Sequence, residues 1–146
     1  MSELNVVVIG GVSCGPKSAA RLKRLMPEAN VTLIERGDYI SYGGCGLPYY
    51  IGSIVKELND LMTTSWDAVR TPEFMKATKD MNTLLGWEAT KIDRDKKVVE
   101  VKNVKTGEEK ALPYDKVVIA TGSSNSKPPI TNIDAKGVFG VKTPVD

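Results

Sequence analysis

The sequence predicts an α/β protein in which a parallel sheet carries an inserted antiparallel meander. Two apolar runs near the N-terminus, residues 5–9 and 31–34, are rich in β-branched side chains and are typical of parallel strands buried on both faces. A helical pattern from Pro16 to about Met26 separates them and completes a strand-helix-strand unit. Alternating runs between residues 88 and 112 predict the meander.

The later elements follow from local signals. Pro48 is tolerated only in the first turn of a helix, so we expect a helix that begins near Cys45 and stops at Gly52. Residues 65–67 and Thr71-Pro72-Glu73 both look like helix starts, the second with Thr71 as its N-cap. Strands are predicted at residues 82–85, 88–93, 97–102, 110–112 and 116–120.

A turn that contains glycines joins the first strand to the helix. Gly10, Gly11 and Gly15 allow a sharp turn close to a pyrophosphate, and the helix directs its free N–H groups at the anion. Val12 stands at the third position of G-x-G-x-x-G, so the match is incomplete. Glu35 ends the second strand, where an acidic side chain accepts ribose hydroxyls. This context indicates a Rossmann-like site for an adenine dinucleotide; a purely structural turn is the alternative.

A second motif brings a cysteine downstream of this unit. Cys45 stands in Ser-Tyr-Gly-Gly-Cys-Gly-Leu-Pro-Tyr, at the predicted start of a helix. Helix-terminal N–H groups stabilise negative charge, so this position favours the nucleophilic thiolate. A buried and inert thiol is the alternative. Cys14 lies in the glycine turn and is interpreted as a small residue there, although a disulfide between Cys14 and Cys45 stays open.

Together these segments resemble the N-terminal part of the FAD-dependent pyridine nucleotide-disulfide oxidoreductases. The similarity extends over essentially the whole chain and is to the branch with a single redox cysteine. That branch contains the coenzyme A-disulfide reductases, the persulfide and polysulfide reductases, and the NADH oxidases and peroxidases. Four segments carry the similarity: Gly10-Gly11 to Gly15, Glu35-Arg36, Ser41 to Gly52, and Ala120-Thr121-Gly122-Ser123.

The resemblance implies that the dinucleotide is FAD and that NAD(P)H binds a later domain of a longer enzyme. Residues 1–146 are thus predicted to be the N-terminal part of an FAD-binding domain, without the nicotinamide and dimerisation domains, and inactive alone. The full-length enzyme is expected to be a homodimer. The implied FAD-binding residues are Gly10, Gly11, Val12, Gly15, Glu35, Arg36, Ser41, Thr121 and Gly122.

The resemblance also makes Cys45 the redox-active nucleophile. Tyr50 stands where the glutathione and lipoamide reductases have a second cysteine, so the sulfur must find its oxidising partner outside this segment. It then forms a mixed disulfide with a small thiol such as coenzyme A, attacks a persulfide or polysulfide, or cycles through sulfenic acid with peroxide or oxygen.

Basic residues on the first helix are candidates for the phosphates of coenzyme A. Lys17, Arg21 and Arg24, together with Ser41, match the coenzyme A-disulfide reductases in character. A solvated helix face is the alternative interpretation of the two arginines. Gly44 departs from the pattern of some of these reductases, which have asparagine before the cysteine.

Composition excludes several other classes. The 146 residues are 41% hydrophobic and 26% charged with a net charge of +2, without the basic and aromatic clusters typical of nucleic-acid binding. No apolar run has membrane-spanning length, no signal peptide is evident, and two cysteines fit a reducing cytoplasm. The absence of histidine and of ligand spacing predicts no metal site. A non-enzymatic nucleotide-binding module is the remaining alternative to an oxidoreductase.

Overall fold

Two sheets organise residues 4–146, the part of the chain that the computed structural model describes. The first sheet contains β1 (Asn5–Ile9), β2 (Asn30–Glu35), β3 (Asn82–Leu85) and β7 (Lys116–Ile119). The second contains β4 (Trp87–Asp93), β5 (Val98–Asn103) and β6 (Glu109–Pro113).

The topology confirms the predicted fold class. All pairings in the first sheet are parallel, in the order β3-β2-β1-β7. The second sheet is an antiparallel meander, β4-β5-β6, which lies between β3 and β7 along the chain. Every predicted strand agrees with an observed one to within one residue at each end. The strands are readable from sequence because their apolar runs are bounded by turn residues.

Three α-helices accompany the sheets within residues 4–146: α1 (Cys14–Leu25), α2 (Leu47–Ile51) and α3 (Pro72–Lys79). Helix α1 begins two residues before the predicted Pro16, since proline is tolerated throughout a first turn, where the N–H has no intrahelical acceptor. Helix α3 begins as predicted, with the Thr71 hydroxyl accepting a hydrogen bond from the Phe74 amide at 3.1 Å.

One predicted helix is wrong. Residues 65–67 form a turn, closed by a bridge between Thr63 and Val69. The Thr64 hydroxyl accepts from the amide of Ala68 at 3.1 Å, and Asp67 has a φ of 60°, which no right-handed helix continues. The polar side chains that resemble a helix cap therefore close a tight turn instead.

The core lies on both faces of the parallel sheet. Val6 and Val8 of β1 pack toward α1 and α3, with Leu33, Ala19 and Met75 as neighbours. The intervening residues of β1 pack toward the meander; this second cluster contains Val7, Ile9, Ile34, Trp87, Val99, Val101 and Tyr114. Because both faces of β1 are covered, its sequence is apolar without alternation.

The connection between β2 and α3 leaves the sheet and contains the predicted cysteine motif. We call residues 41–63 the thiol segment. It contains a 3₁₀ turn at Gly44–Gly46, then α2, then a second 3₁₀ turn at Leu58–Leu61. A small cluster of Tyr42, Leu47 and Met62 is its buried part.

Candidate functional site

The glycine turn after β1 is too crowded for side chains. A Cβ on Gly10 would lie 2.1 Å from the carbonyl oxygen of Ala120, and Gly10 has a φ of +111°. A Cβ on Gly15 would lie 1.8 Å from the carbonyl oxygen of Gly10. Because Gly10 and Gly15 have no side chains, β1, α1 and the end of β7 can meet closely. A phosphate group can then approach the backbone of the turn directly.

Two backbone donors are available at this turn. Among the described residues, the amides of Val12 and Ser13 have no protein acceptor, and they directly precede α1. Unpaired amides and the positive end of a twelve-residue helix favour an anion here. The turn therefore fits the pyrophosphate of a dinucleotide, although Val12 replaces the usual glycine.

Glu35 connects the glycine turn to the loop that follows β2. Its Oε2 accepts a hydrogen bond from the Gly11 amide at 2.7 Å, and its Oε1 accepts one from the Gly37 amide at 2.8 Å. A carboxylate has about four acceptor positions, so capacity for the hydroxyls of a ribose remains. The structure thus places Glu35 beside the glycine turn, as the dinucleotide prediction requires.

A cavity of about 360 Å³, which we call the sheet-edge cavity, opens at the carboxyl ends of β1 and β2. Parallel α/β sheets commonly bind ligands at this edge. Five of the predicted FAD-binding residues line it: Gly10, Glu35, Arg36, Thr121 and Gly122. Sequence reasoning missed Trp87, Glu88 and Ala89, which complete the lining from β4, because only tertiary packing brings the meander to this edge.

A second cavity of about 680 Å³, the basic cavity, lies between α1, α3 and the thiol segment. Lys17, Arg24 and Ser41 of the predicted substrate residues line it, whereas Arg21 does not. Arg70 and Lys79 also line it and were not found from the sequence, since no local pattern connects them to α1. No acidic side chain contributes to its lining, so its four cations favour an anionic ligand.

Cys45 lies in the first 3₁₀ turn of the thiol segment, two residues before α2. Both Cys45 and Cys14 are free and exposed, so they are not bonded to each other and neither is a buried thiol. The helix predicted to start near Cys45 is therefore a 3₁₀ turn followed by a five-residue α-helix.

The thiol segment is attached to the glycine turn. The Ser41 amide donates to the Gly11 carbonyl at 2.8 Å, and the Gly43 amide donates to the Leu61 carbonyl at 2.8 Å. Tyr42, between them, is buried and lines the basic cavity. Burial raises the pKa of the Tyr42 phenol, and the negative charges of Glu35 and Asp146 raise it further. Ser41, which is bonded to Gly11 and lines the basic cavity, therefore connects the glycine turn with that cavity.

Residues 4–146 match the family described as pyridine nucleotide-disulphide oxidoreductase. The chain belongs to this family. An NADH oxidase from Enterococcus faecalis is 35% identical over 136 residues, which cover 93% of this chain and 29% of the relative. A coenzyme A disulfide reductase from Staphylococcus haemolyticus is 31% identical over 118 residues, covering 81% of this chain and 26% of the relative.

Solved structures show the same fold. An NAD-dependent persulfide reductase from A. fulgidus has a TM-score of 0.85 and 45% identity, over 92% of this chain and 24% of that one. A FAD-dependent pyridine nucleotide-disulphide oxidoreductase from Desulfovibrio vulgaris has a TM-score of 0.53 and 32% identity, over 89% of this chain and 22% of that one. The predicted family and fold are confirmed, as are FAD and a nicotinamide nucleotide as the cofactors of the family.

The chain spans less than a third of the length of these curated relatives. In residues 4–146 no helix has the length and apolarity needed to cross a bilayer. The same residues contain no cluster of three or more histidine, cysteine or acidic side chains suited to a metal ion.

Proposed function

We propose that this chain binds FAD at the glycine turn and the sheet-edge cavity, and that Cys45 reduces a sulfur–sulfur bond within a longer NAD(P)H-dependent enzyme. The substrate is a disulfide, persulfide or polysulfide related to coenzyme A. The observation that carries the proposal is the basic cavity, which adjoins the thiol segment at Ser41 and Gly43 and has no acidic lining.

The FAD site uses the residues that the sequence indicated. The turn from Gly10 to Gly15, with Val12, would hold the pyrophosphate, and Glu35 would hold the ribose. Arg36, Thr121 and Gly122 line the adjoining cavity. FAD, when bound, supplies two-electron transfer between a nicotinamide nucleotide and sulfur.

The basic cavity would hold the phosphates of the substrate. Arg24 and Arg70 provide planar guanidinium groups that pair with phosphate through two hydrogen bonds, and Lys17 and Lys79 provide mobile positive charges. Ser41 adds a hydroxyl. Arg21 lies outside this lining on the same helix, so its predicted contact with substrate rests on the sequence alone.

Cys45 would carry the covalent step. Its thiolate attacks one sulfur of the substrate disulfide, forms a mixed disulfide with it, and expels the other sulfur as a thiolate. Two electrons then cleave the mixed disulfide, which releases the second substrate thiol and regenerates the Cys45 thiolate. Because the chain has no histidine, no imidazole of residues 1–146 supplies the proton for the departing thiol.

The two cysteines offer a matched test in this chain. Treatment with coenzyme A disulfide should leave a mixed disulfide on Cys45, detected by peptide mass spectrometry, and little on Cys14. Both thiols are exposed, so exposure alone does not predict this preference. Equal labelling of the two cysteines, or labelling of Cys14 only, contradicts the proposed role of Cys45.

The full-length enzyme tests turnover. Cys45→Ser should lower NAD(P)H-dependent reduction of coenzyme A disulfide by about a thousandfold or more, with the flavin spectrum unchanged, because the nucleophile is gone. Cys14→Ser is the control and should keep most of the activity.

The 146-residue chain alone should not oxidise NAD(P)H when FAD is added, and it should lose the flavin on desalting.

Reduction of oxygen or peroxide is the second candidate. The Enterococcus faecalis relative is an NADH oxidase, and Cys45 is exposed with Tyr50 in place of a second cysteine. In this case peroxide should convert Cys45 to a stable sulfenic acid that dimedone traps. A dimedone adduct together with failure to react with coenzyme A disulfide would favour the oxidase or peroxidase.

A further inference from the structure

Arg70 connects the two ends of the thiol segment. Its Nη1 donates to the carbonyl oxygens of Met62 at 3.1 Å and Thr63 at 3.2 Å, on the returning end. The same atom lies 3.5 Å from the carbonyl oxygen of Ser41, on the departing end. Ser41 in turn is bonded to Gly11 of the glycine turn. One guanidinium nitrogen thus contacts both ends of the thiol segment, which contains Cys45.

Few other backbone hydrogen bonds attach the thiol segment to the rest of the described chain, although its buried cluster with Leu47 packs against Val12 and Tyr39. Between Gly44 and Asp60 the backbone hydrogen bonds that leave the helical turns stay within the segment, such as Gly46 to Gly43 and Asp60 to Glu57. The attachments to the rest of the described chain are concentrated at its base. The position of Cys45 relative to the glycine turn therefore depends on the geometry at residues 41–43 and 61–63, together with the packing of the buried Leu47.

The remainder of the Arg70 guanidinium has no partner in residues 4–146. All side-chain hydrogen bonds of Arg70 involve Nη1, and Arg70 forms no ion pair there. A guanidinium has five N–H donors, so Nε and Nη2 keep theirs. Arg70 lines the basic cavity together with Lys17, Arg24 and Lys79. A half-buried cation without a carboxylate, in a cavity with no acidic lining, fits an anionic group of a ligand.

We propose that Arg70 is a positioning residue that couples occupancy of the basic cavity by a phosphate-bearing ligand to the placement of Cys45. A ligand anion on the free side of the guanidinium fixes its plane, and the fixed plane strengthens the three Nη1 contacts at the base of the thiol segment. The substrate thus orders the segment that attacks it. This inference rests on the proposed function, because the ligand is the proposed substrate class.

Arginine is required for this coupling. A lysine at position 70 keeps the positive charge, but its single nitrogen cannot contact the carbonyls at the base of the segment and also present a second edge to an anion. Arg70→Lys therefore tests whether the coupling needs the planar guanidinium group in addition to its positive charge. The remaining cations, Lys17, Arg24 and Lys79, still line the cavity in this variant.

Hydrogen exchange measures the coupling directly in the 146-residue chain. The probe is desulfo-coenzyme A, which has the phosphates but no reactive sulfur, and its binding is measured by calorimetry. In the natural sequence it should slow exchange at the Ser41 and Gly43 amides by about tenfold, the effect of roughly one charge-assisted hydrogen bond. In Arg70→Lys the probe should bind no more than about tenfold more weakly, and this protection should be lost.

Arg94→Lys is the matched control. Arg94 is exposed in the turn between β4 and β5, away from both cavities, and its variant should retain binding and protection. Arg70→Gln, which keeps an amide donor, is a second variant in case Arg70→Lys unfolds, and it should also lose the protection. Thermal unfolding of each variant checks its fold.

The remaining outcomes overturn the coupling in distinguishable ways. Equal protection in the natural chain and the Arg70 variants contradicts it. So does an Arg70 variant in which exchange rises by the same factor with and without the probe, which indicates a structural role only. A natural chain that binds the probe without protection overturns the coupling but leaves the proposed substrate intact. A natural chain that does not bind the probe overturns both.

Discussion

The glycine turn and the thiol segment are neighbours that are built in opposite ways. At the turn, a Cβ on Gly15 or Gly11 would meet another atom at 1.8 or 2.6 Å, respectively. In the thiol segment, a Cβ on Gly44 would have its nearest neighbour at 3.8 Å, and one on Gly46 would meet only the flexible end of the Leu61 side chain, at 2.4 Å. Ile51 and Ile54 are 64% and 72% exposed. Dense packing fixes the turn, whereas hydrogen bonds at the base of the segment position the cysteine.

This difference fits the two proposed tasks. A dinucleotide that stays bound needs a preformed cradle, and close packing of backbone against backbone supplies one. A redox thiol must meet a changing series of sulfur atoms, which requires access. Cys45 is accordingly exposed, and the lining of the basic cavity reaches Gly43, two residues before it.

The largest predicted effect is on hydrogen exchange. The amides of Val7 and Val8 in β1 lie in the buried centre of the sheet, so their exchange requires global unfolding. The amides of Tyr50 and Ile51 in α2 are expected to exchange by local opening, about a thousandfold faster or more. Similar protection at the two sites, measured by NMR, would show that the thiol segment is as firmly held as the sheet.

A pair of glycine variants tests the packing difference. Gly15→Ala should destabilise the chain by about 3 kcal/mol, because its Cβ would lie 1.8 Å from a backbone oxygen that cannot move independently. Gly44→Ala adds the same methyl group where there is space and should change stability by less than about 0.5 kcal/mol. Urea unfolding measures both. A comparable loss in the two variants would contradict the comparison.

The junction between the thiol segment and α3 should give a smaller effect. Thr71→Ala removes the hydroxyl that caps α3 and should cost about 1 kcal/mol. Thr78→Ala, in the same helix, is the control: this hydroxyl only donates to the Phe74 carbonyl, so its loss should be close to neutral. If thermal unfolding showed the Thr71 variant to be as stable as the Thr78 variant, the Thr71 cap would not contribute to stability.

The smallest predicted effect depends on pH and concerns the contact between α1 and α3. Hydrogen bonds from Lys76 and then Lys23 lower the pKa of Asp80 from 3.8 to about 2. A lowered folded-state pKa contributes stability above the unfolded pKa, and this contribution is lost as the pH falls from 3.8 toward 2. The stability difference between the natural chain and Asp80→Asn should therefore be constant near neutral pH, shrink as the pH falls through 3.8, and disappear below about pH 2.

Asp95→Asn is the control for that titration. Asp95 is exposed in the turn after β4 and forms no ion pair within residues 4–146, so the variant should follow the natural chain. A difference for Asp80→Asn that persists unchanged at pH 2 would mean that the carboxylate charge is not its source.

Local patterns predicted most of the fold. The two valine-rich strands, the helix between them and the three-stranded meander were readable because each element carries its own period and its own turn residues. The helix predicted at residues 65–67 is wrong because a contact beyond those residues fixes their conformation. Ser65-Trp66-Asp67 resembles a helix start, but these residues lie in a turn closed by the bridge between Thr63 and Val69. That pairing joins residues on both sides of the turn and has no signal within residues 65–67.

The residues of the candidate site also divide into those that the sequence predicted and those that it did not. Sequence order already places Gly10, Glu35 and Cys45 on one βαβ unit and the loop that follows it, because contiguous elements of a parallel sheet direct their carboxyl ends to one edge. Their residue types already suggested their proposed roles, as phosphate turn, ribose acceptor and redox thiol, respectively. Arg70, Lys79 and Trp87 carry no signal of this kind, since each reaches its cavity from an element much later in the chain.

The amino-acid sequence was sufficient for the family, the parallel sheet and the glycine turn, because these depend on periodicity and on residue types within short segments. Only the tertiary structure decided that Lys17 and Arg24 line a cavity without acidic side chains while Arg21 does not, and that Arg70 closes the base of the thiol segment. The placement of α1 and α3 on the parallel sheet sets the lining of the cavity, and no local pattern encodes the distance between two helices that are far apart in the chain.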